Sequence, residues 1–292
     1  SQDMPDVAYP RLTIVDHERQ VQVIPLPAPA TRQLHLHFVA ERDLLALLVN
    51  VYDQGGCIAI ICNTVDEAIT TSHMLLSSAQ IDTADVLLFH ARTTPAWRSK
   101  IEQEVLRRFG KGGDRPKRMI LIATQIIEQS LDLDFDLMIS GVAPIDLLIQ
   151  RAGRLHRHDS TQRPEHLQAP TLVIREPEID ADGVPDFGID AVIYARYILL
   201  QTWRVLHNRA DLLLPDEIDA VMNAVYNPYD PAATTSNSTY EQALARAYDD
   251  MSLGESGSAF RGAQFCIGSP DNDYLIGGTS FDLPDDESRH IA

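Results

Sequence analysis

Apolar residues follow two alternating rhythms over residues 34–175. Short runs at 57–62 (CIAIIC), 85–89, 119–123 and 137–140 are almost wholly apolar, as strands covered on both faces are; 34–39 and 171–175 read as further strands. Helical periodicity fills the gaps. Residues 41–54 place Leu44, Leu45, Leu48, Val51 and Tyr52 on one face and stop at Gly55, and residues 65–80 follow an N-cap at Asn63 or Thr64. A third helix opens at Thr94 and Pro95, puts Trp97, Ile101, Val105 and Phe109 on its buried side, and ends at Gly110. A fourth opens near Pro144 and carries Gln150, Arg151, Gly153, Arg154 and Arg157. The alternation predicts an α/β fold, a parallel sheet with helices on both faces, because parallel neighbours need long crossovers.

The ends read differently. Residues 1–33 carry Pro5, Pro10, Pro25, Pro27 and Pro29 with little periodicity beyond 21–24, which predicts a linker or arm. After Glu176 an acidic connection leads to one long helix over 189–206, with Ile193, Tyr197, Leu200 and Trp203 at core spacing. Pro215 opens another helix, and Ser238 with Glu241 caps a third that stops at Gly254. Residues 176–292 are therefore expected to form a linker helix and a smaller, mainly helical accessory domain. They lack an evident closing element, as a piece cut from a longer protein would.

A net charge of −18 and a pI near 4.8 ordinarily argue against nucleic acid. The charge is uneven, however: residues 176–292 hold 6 Lys+Arg against 21 Asp+Glu, whereas residues 91–118 hold 9 basic residues against 3 acidic ones. One half of the chain can face phosphates. No apolar run is long enough for a membrane span, and a cytoplasmic location is expected. Cys57 and Cys62 fall on opposite faces of one strand and Cys266 is remote, so neither a disulfide framework nor a thiolate metal site follows.

The polar loop after 119–123 and the helix after 137–140 carry the chemistry, since ligands collect beyond the carboxyl ends of parallel strands. On a helix, Arg154 and Arg157 share one face, with Gln150 a turn earlier. A guanidinium is always charged and offers a rigid fork of donors suited to phosphate oxygens, so the pair suggests an anion site; the plain alternative is a solvated basic face. Gly153 removes a side chain beside them. Arg98, Lys100, Arg107 and Arg108 read as a solvated face, and Asn63 or Thr64 as a simple helix cap.

Thr124 with residues 128–132 (EQSLD) resembles motif V of superfamily 2 helicases, and residues 150–157 (QRAGRLHR) resemble the QxxGRxxR of motif VI. The wording over 119–158, and more loosely over 57–175, is most similar to the CRISPR-associated helicase-nuclease family of type I systems. That resemblance implies a second RecA-like domain over 34–175, bearing motifs IV, V and VI, within an ATP- and Mg2+-dependent translocase on single-stranded DNA. It implies arginine fingers at Arg154 and Arg157, a nucleotide- or water-orienting Gln150, and nucleotide contacts from Asp132, Gly153 and Arg151. Asn63 and Thr64 look like motif IV, and with His90, Arg92, Thr124 and Gln129 they are the implied contacts to a strand moved 3′ to 5′. The implied partners are that DNA strand, the missing helicase and nuclease domains, and an RNA-guided surveillance complex, on which the acidic helical end is a candidate docking module.

Several motifs are missing or out of place. No G-x-x-x-x-G-K-[ST] occurs, and Gly110-Lys111-Gly112-Gly113 lacks the hydroxyl residue that would hold magnesium. Asp66-Glu67-Ala68-Ile69 spells DEAx but falls in the first turn of a helix, where the dipole favours acids. His158-Asp159 is the only HD dipeptide and lacks companion ligands, so no metal site is assigned; a metal-hydrolase reading rests on it alone. The expectation is half an active site, without ATPase of its own.

Overall fold

The computed structural model describes residues 7–18, 20–128, 131–159, 161–229 and 238–264, with 255–264 as backbone alone. The chain divides into two units, Ser1–Asp249 and Asp250–Ala292, and the described part of the second is helix. In the first unit an antiparallel hairpin of β1 (Arg11–Val15) and β2 (Val21–Pro25) precedes β3 (Arg32–Val39), α1 (Glu41–Gln54), β4 (Gly56–Ile61) and α2 (Val65–Leu76). Then come β5 (Val86–Phe89), α3 (Pro95–Phe109), β6 (Arg118–Ala123), β7 (Leu137–Ser140), α4 (Ile145–Ala152) and β8 (Thr171–Arg175). A small ribbon of β9 (Glu178–Ile179) and β10 (Pro185–Asp186) leads to α5 (Asp190–Ile193), α6 (Arg196–Leu206), β11 (Asp211–Leu214), α7 (Ile218–Tyr226) and α8 (Thr239–Gln264).

One 7-stranded sheet holds the order β11-β3-β8-β7-β4-β6-β5, parallel throughout except for β11. The steps β3 to β4 and β4 to β5 run one way along it; β5 to β6 and β7 to β8 run the other. With right-handed crossovers, α1 and α2 cover one face and α3 and α4 the opposite one. Side chains agree: Leu44, Leu48 and Tyr52 of α1 and Ala68 and Leu75 of α2 pack in one core with Ile58, Ile60 and Cys62, alternate positions of a single run. A fully buried Leu or Ile there contributes roughly 1.5–3 kcal/mol. The fold class read from the sequence is the one present. Neighbours β4 and β7 send their connections to opposite faces, so the crevice beyond their carboxyl ends is the switch point at which such sheets take ligands.

The structure departs from the sequence reading in several places. Residues 11–25, expected as an arm, form a hairpin tied down by Arg11 Nη1 to Asp219 Oδ1 at 2.9 Å. Residues 189–206 are not one helix, because Tyr194 is extended (φ −117°, ψ 145°) where α5 ends. Residues 211–214 pair with β3 in register from Asp211↔His35 to Leu214↔Arg32, so the segment expected to open an accessory domain returns to the sheet. Finally, α3 buries only Val105 and Phe109, and Trp97 is 63% exposed rather than packed. Among the described residues no helix is long and apolar enough to cross a membrane.

Candidate nucleotide and nucleic-acid site

Arg151 sits at the switch point, on the buried side of α4, with 0% of its surface exposed. Its Nε donates to Glu128 Oε1 (2.7 Å), Nη1 to Ser140 Oγ (2.7 Å), and Nη1 and Nη2 share Asn63 Oδ1 (3.2 and 3.3 Å). Tyr194 OH lies 3.5 Å from Nη2. The amide of Asn63 is spent as well: Nδ2 donates to the Val142 carbonyl (2.8 Å) and to Asp190 Oδ2 (2.9 Å). Its backbone N–H goes to Glu67 Oε2 (2.8 Å), and its carbonyl accepts from Gln125 Nε2 (2.7 Å). A cation stripped of water is tolerable only with such complete pairing. Burial pushes the Asp190 carboxyl up to about 6; the Asn63 hydrogen bond opposes this and the Glu67 charge adds to it. The chain's own residues thus occupy the crevice.

The segment 150–157, which resembles motif VI, divides after Arg151. Helix α4 ends at Ala152 with Gly153 as its C-cap, so Arg154 and Arg157 lie in the turn beyond the helix rather than on one helical face as expected. Arg154, 8% exposed, donates from Nη1 to the Gln150 carbonyl (3.0 Å) and from Nη2 to the Glu128 carbonyl (2.9 Å), while its Nε is buried without a partner. Burial, and then the Arg157 charge, lowers its proton affinity. Arg157 is half exposed; its Nε donates to Asp132 Oδ1 (2.7 Å) and its Nη1 to the Gly153 carbonyl (3.3 Å). Asp132 also faces His158 Nε2 at 3.0 Å, and His158, followed by Arg157, holds its carboxyl below the usual range. Leu155 bridges Phe135 and the Arg157 N–H reaches Asp134 Oδ1 (2.7 Å), which puts this turn beside the amino end of β7 and not at its carboxyl edge. His156 turns the chain there at φ 48°, a left-handed conformation that costs a non-glycine residue about 1 kcal/mol or more.

The strand-side candidates lie along the carboxyl ends of β4, β5 and β6. Thr64 caps α2, accepting from the Glu67 N–H at 2.9 Å. Arg92 Nη1 meets Asp66 Oδ1 at 2.8 Å, both exposed, and His90 Nδ1 accepts from the Arg92 N–H at 3.2 Å. Thr124 is buried; Gln150 is exposed; Gln129 lies outside the described residues. The DEAx acids have partners within the chain, Asp66 with Arg92 and Glu67 with Arg175. Sequence reasoning missed Ser140, Asp190 and Tyr194, which sit in segments without a motif. It also missed a buried ionic cluster at the amino edge of the sheet. There Arg163 pairs with Asp134 (2.8 Å) and Asp136 (2.6 Å), and Arg115 Nη2 lies 2.8 Å from Asp136 Oδ1 but off the line a hydrogen bond needs. The alternation Asp132, Asp134, Asp136 ahead of an apolar strand was the available signal. A basic cleft of about 770 Å³ opens beside that cluster, lined by Lys111, Arg115 and Lys117, and contains neither Arg154 nor Arg157. Among the described residues no group of three or more His, Cys, Asp or Glu is placed to hold a metal.

The profile of the family described as CRISPR-associated nuclease/helicase Cas3, C-terminal, matches residues 54–160, the segment that holds every residue of the two clusters except Asp190, Tyr194 and Arg163. Residues 54–160 are a Cas3-like C-terminal domain, and Cas3 proteins match the chain on either side of it. It is 48% identical over 146 residues to the Cas3 endonuclease/helicase of Thermus thermophilus, a match covering 50% of this chain and 16% of that protein. A solved T. fusca Cas3-AMPPNP structure superposes at a TM-score of 0.76 with 30% identity, covering 91% of this chain and 32% of that one. A chain from a CRISPR RNA-guided surveillance complex in a pre-nicking state superposes at 0.69 with 29% identity, covering 88% and 33%. The chain thus spans a third or less of each of these three proteins.

Proposed function

We propose that this Cas3 segment is the second motor domain of a single-stranded DNA translocase, supplying cations to a nucleotide held by another domain. The observation that carries this reading is the loop 124–132. The Glu128 carbonyl holds Arg154, the Asp132 carboxylate holds Arg157, and the Glu128 carboxylate holds Arg151 against Asn63. Nucleotide-side and strand-side residues are therefore fastened to one loop, and displacement of one is felt by the other.

The residues present fit one side of a triphosphate. Arg154 keeps a buried, unpaired Nε and Arg157 a half-exposed guanidinium, with exposed Gly153 next to Arg154 and its carbonyl accepting from Arg157 Nη1. Bound ATP with Mg2+ supplies the scissile phosphoanhydride. Arg154 and Arg157 stabilise charge at phosphate oxygens, an effect of ~10³–10⁵ in rate for arginine fingers. Asp132 holds Arg157 in place, and exposed Gln150 orients the nucleotide or water. Arg151 and Asn63, which are buried, are positioning residues. Thr64, His90, Arg92 and Gln129 contact the strand backbone, and such contacts position it without reading its sequence. Thr124, which is buried, joins the loop to the end of β5 through its N–H to the Phe89 carbonyl (3.3 Å) and is a positioning residue. Steady ATP hydrolysis is expected to be negligible for the chain alone and to appear when the first RecA-like domain of a Cas3 protein is added with single-stranded DNA. Turnover by the chain alone sinks the proposal.

Assembly with an RNA-guided surveillance complex is the second part of the reading, supported by the relative found in one. Deleting residues 239–292, which spares β11, is expected to abolish co-elution with that complex; unchanged co-elution assigns docking elsewhere.

A further inference from the structure

We infer that Trp97 is a base-stacking platform for the DNA strand, with Arg98 and Lys100 as its phosphate partners, which rests on the strand reading above. The chain has two tryptophans, and they are used in opposite ways. Trp203 is buried in edge contact with Phe38 (5.6 Å between centroids) and stacked on His207 (4.3 Å). Trp97 is 63% exposed on the first turn of α3, where residues 94–100 are exposed all round although the helix is buried further on at Val105 and Phe109. Among the described residues its one ring contact is with a cation, the Lys100 ammonium 5.3 Å from the ring centroid.

A lone exposed aromatic is ordinary on a protein surface. This one differs in its company. Neither Arg98 nor Lys100 has an acidic partner among the described residues, and Arg92 has only the exposed Asp66, a pair worth little in water. Farther along α3 the arrangement reverses, with Arg107 paired to Glu104 and Asp114 and Arg108 paired to Glu104. Two cations without an acidic partner therefore stand within three residues of the indole, at the same exposed start of α3. Helix α3 follows directly on β5, whose carboxyl end carries His90 and Arg92, so the platform continues the line of strand contacts. A flat π-face beside cations that track a backbone is the design used for sequence-tolerant binding of single strands.

The test uses the full 292-residue chain and a fluorescein-labelled oligothymidylate, read by anisotropy. Trp97→Ala is expected to weaken binding about 5- to 150-fold, the size of one stacked base, and Trp97→Phe to recover most of it. An abasic oligonucleotide of equal length is expected to bind W97A and the unmodified chain equally, since only the bases are lost. In R98A/K100A the slope of log affinity against log salt is expected to shrink by about 1.4, two single-strand phosphate contacts. Equal binding of oligothymidylate by W97A and the unmodified chain overturns the platform while leaving the strand reading intact. Failure of the unmodified chain to bind it at all removes the strand reading, and the platform with it.

Discussion

Asn63 Nδ2 donates to Asp190 Oδ2 across 2.9 Å, joining the end of β4 to a helix 127 residues further along the chain. The Asp190 carboxyl titrates near 6 when folded against an ordinary 3.8, because burial disfavours its charge. The folded state therefore binds this proton more tightly than the unfolded one, and stability falls as pH rises from about 4 through 6. Asp132 and Asp134 have lowered values, so their contribution is lost only on acidification below their ordinary range. Asp190→Asn, which keeps an acceptor oxygen, is expected to flatten the decline between pH 4 and 6 in urea midpoints. An unchanged slope assigns it to other groups.

Arg151 is expected to be a stability residue. Removing one partner of a buried ion pair leaves Glu128 uncompensated, so Arg151→Ala is expected to cost about 3–5 kcal/mol by chemical denaturation. Arg151→Lys recovers only part, because an ammonium lacks the planar fork that reaches Glu128, Ser140 and Asn63 together. A loss below about 1 kcal/mol for the alanine variant contradicts the network described here.

Arg157 is expected to behave in the opposite way. Its pair with Asp132 is half exposed, so Arg157→Ala costs at most about 1 kcal/mol of stability. In the reconstituted motor the same change is expected to lower ATP turnover about 10³-fold or more. A variant that turns over ATP normally removes Arg157 from the chemistry.

Burial pushes the thiols of Cys57 and Cys62 up to about 12, and neither is exposed. Thiolate is the reactive form, so alkylation mapped by mass spectrometry at pH 8 is expected to leave both unmodified until denaturant is added. Modification of either in the native protein indicates local opening of β4.

The sheet was legible because both its faces are covered. CIAIIC, MILIA and LMIS carry no polar face, and that composition admits few alternatives. Short edge elements carried no such signal: β11 is DLLL just before a proline, and its strand state comes from pairing with β3 rather than from its own residues. The break at Tyr194 was hidden for the same reason, since Gln125 and Arg151 draw its hydroxyl inward. Trp97 was misplaced because helical spacing identifies a common face but not whether anything covers that face. Over residues 150–157 the residue types suggested cations for phosphate, yet spacing did not separate Arg151, which is enclosed, from Arg157, which is not.

The antiparallel pairing of β11 with β3 also limits how this protein is divided. Cutting at Arg175, where the sequence suggests a boundary, strips β3 of its outer neighbour and leaves a row of unpaired amides and carbonyls facing solvent. Such a fragment is expected to self-associate edge to edge, whereas one ending after Leu214 keeps that row occupied.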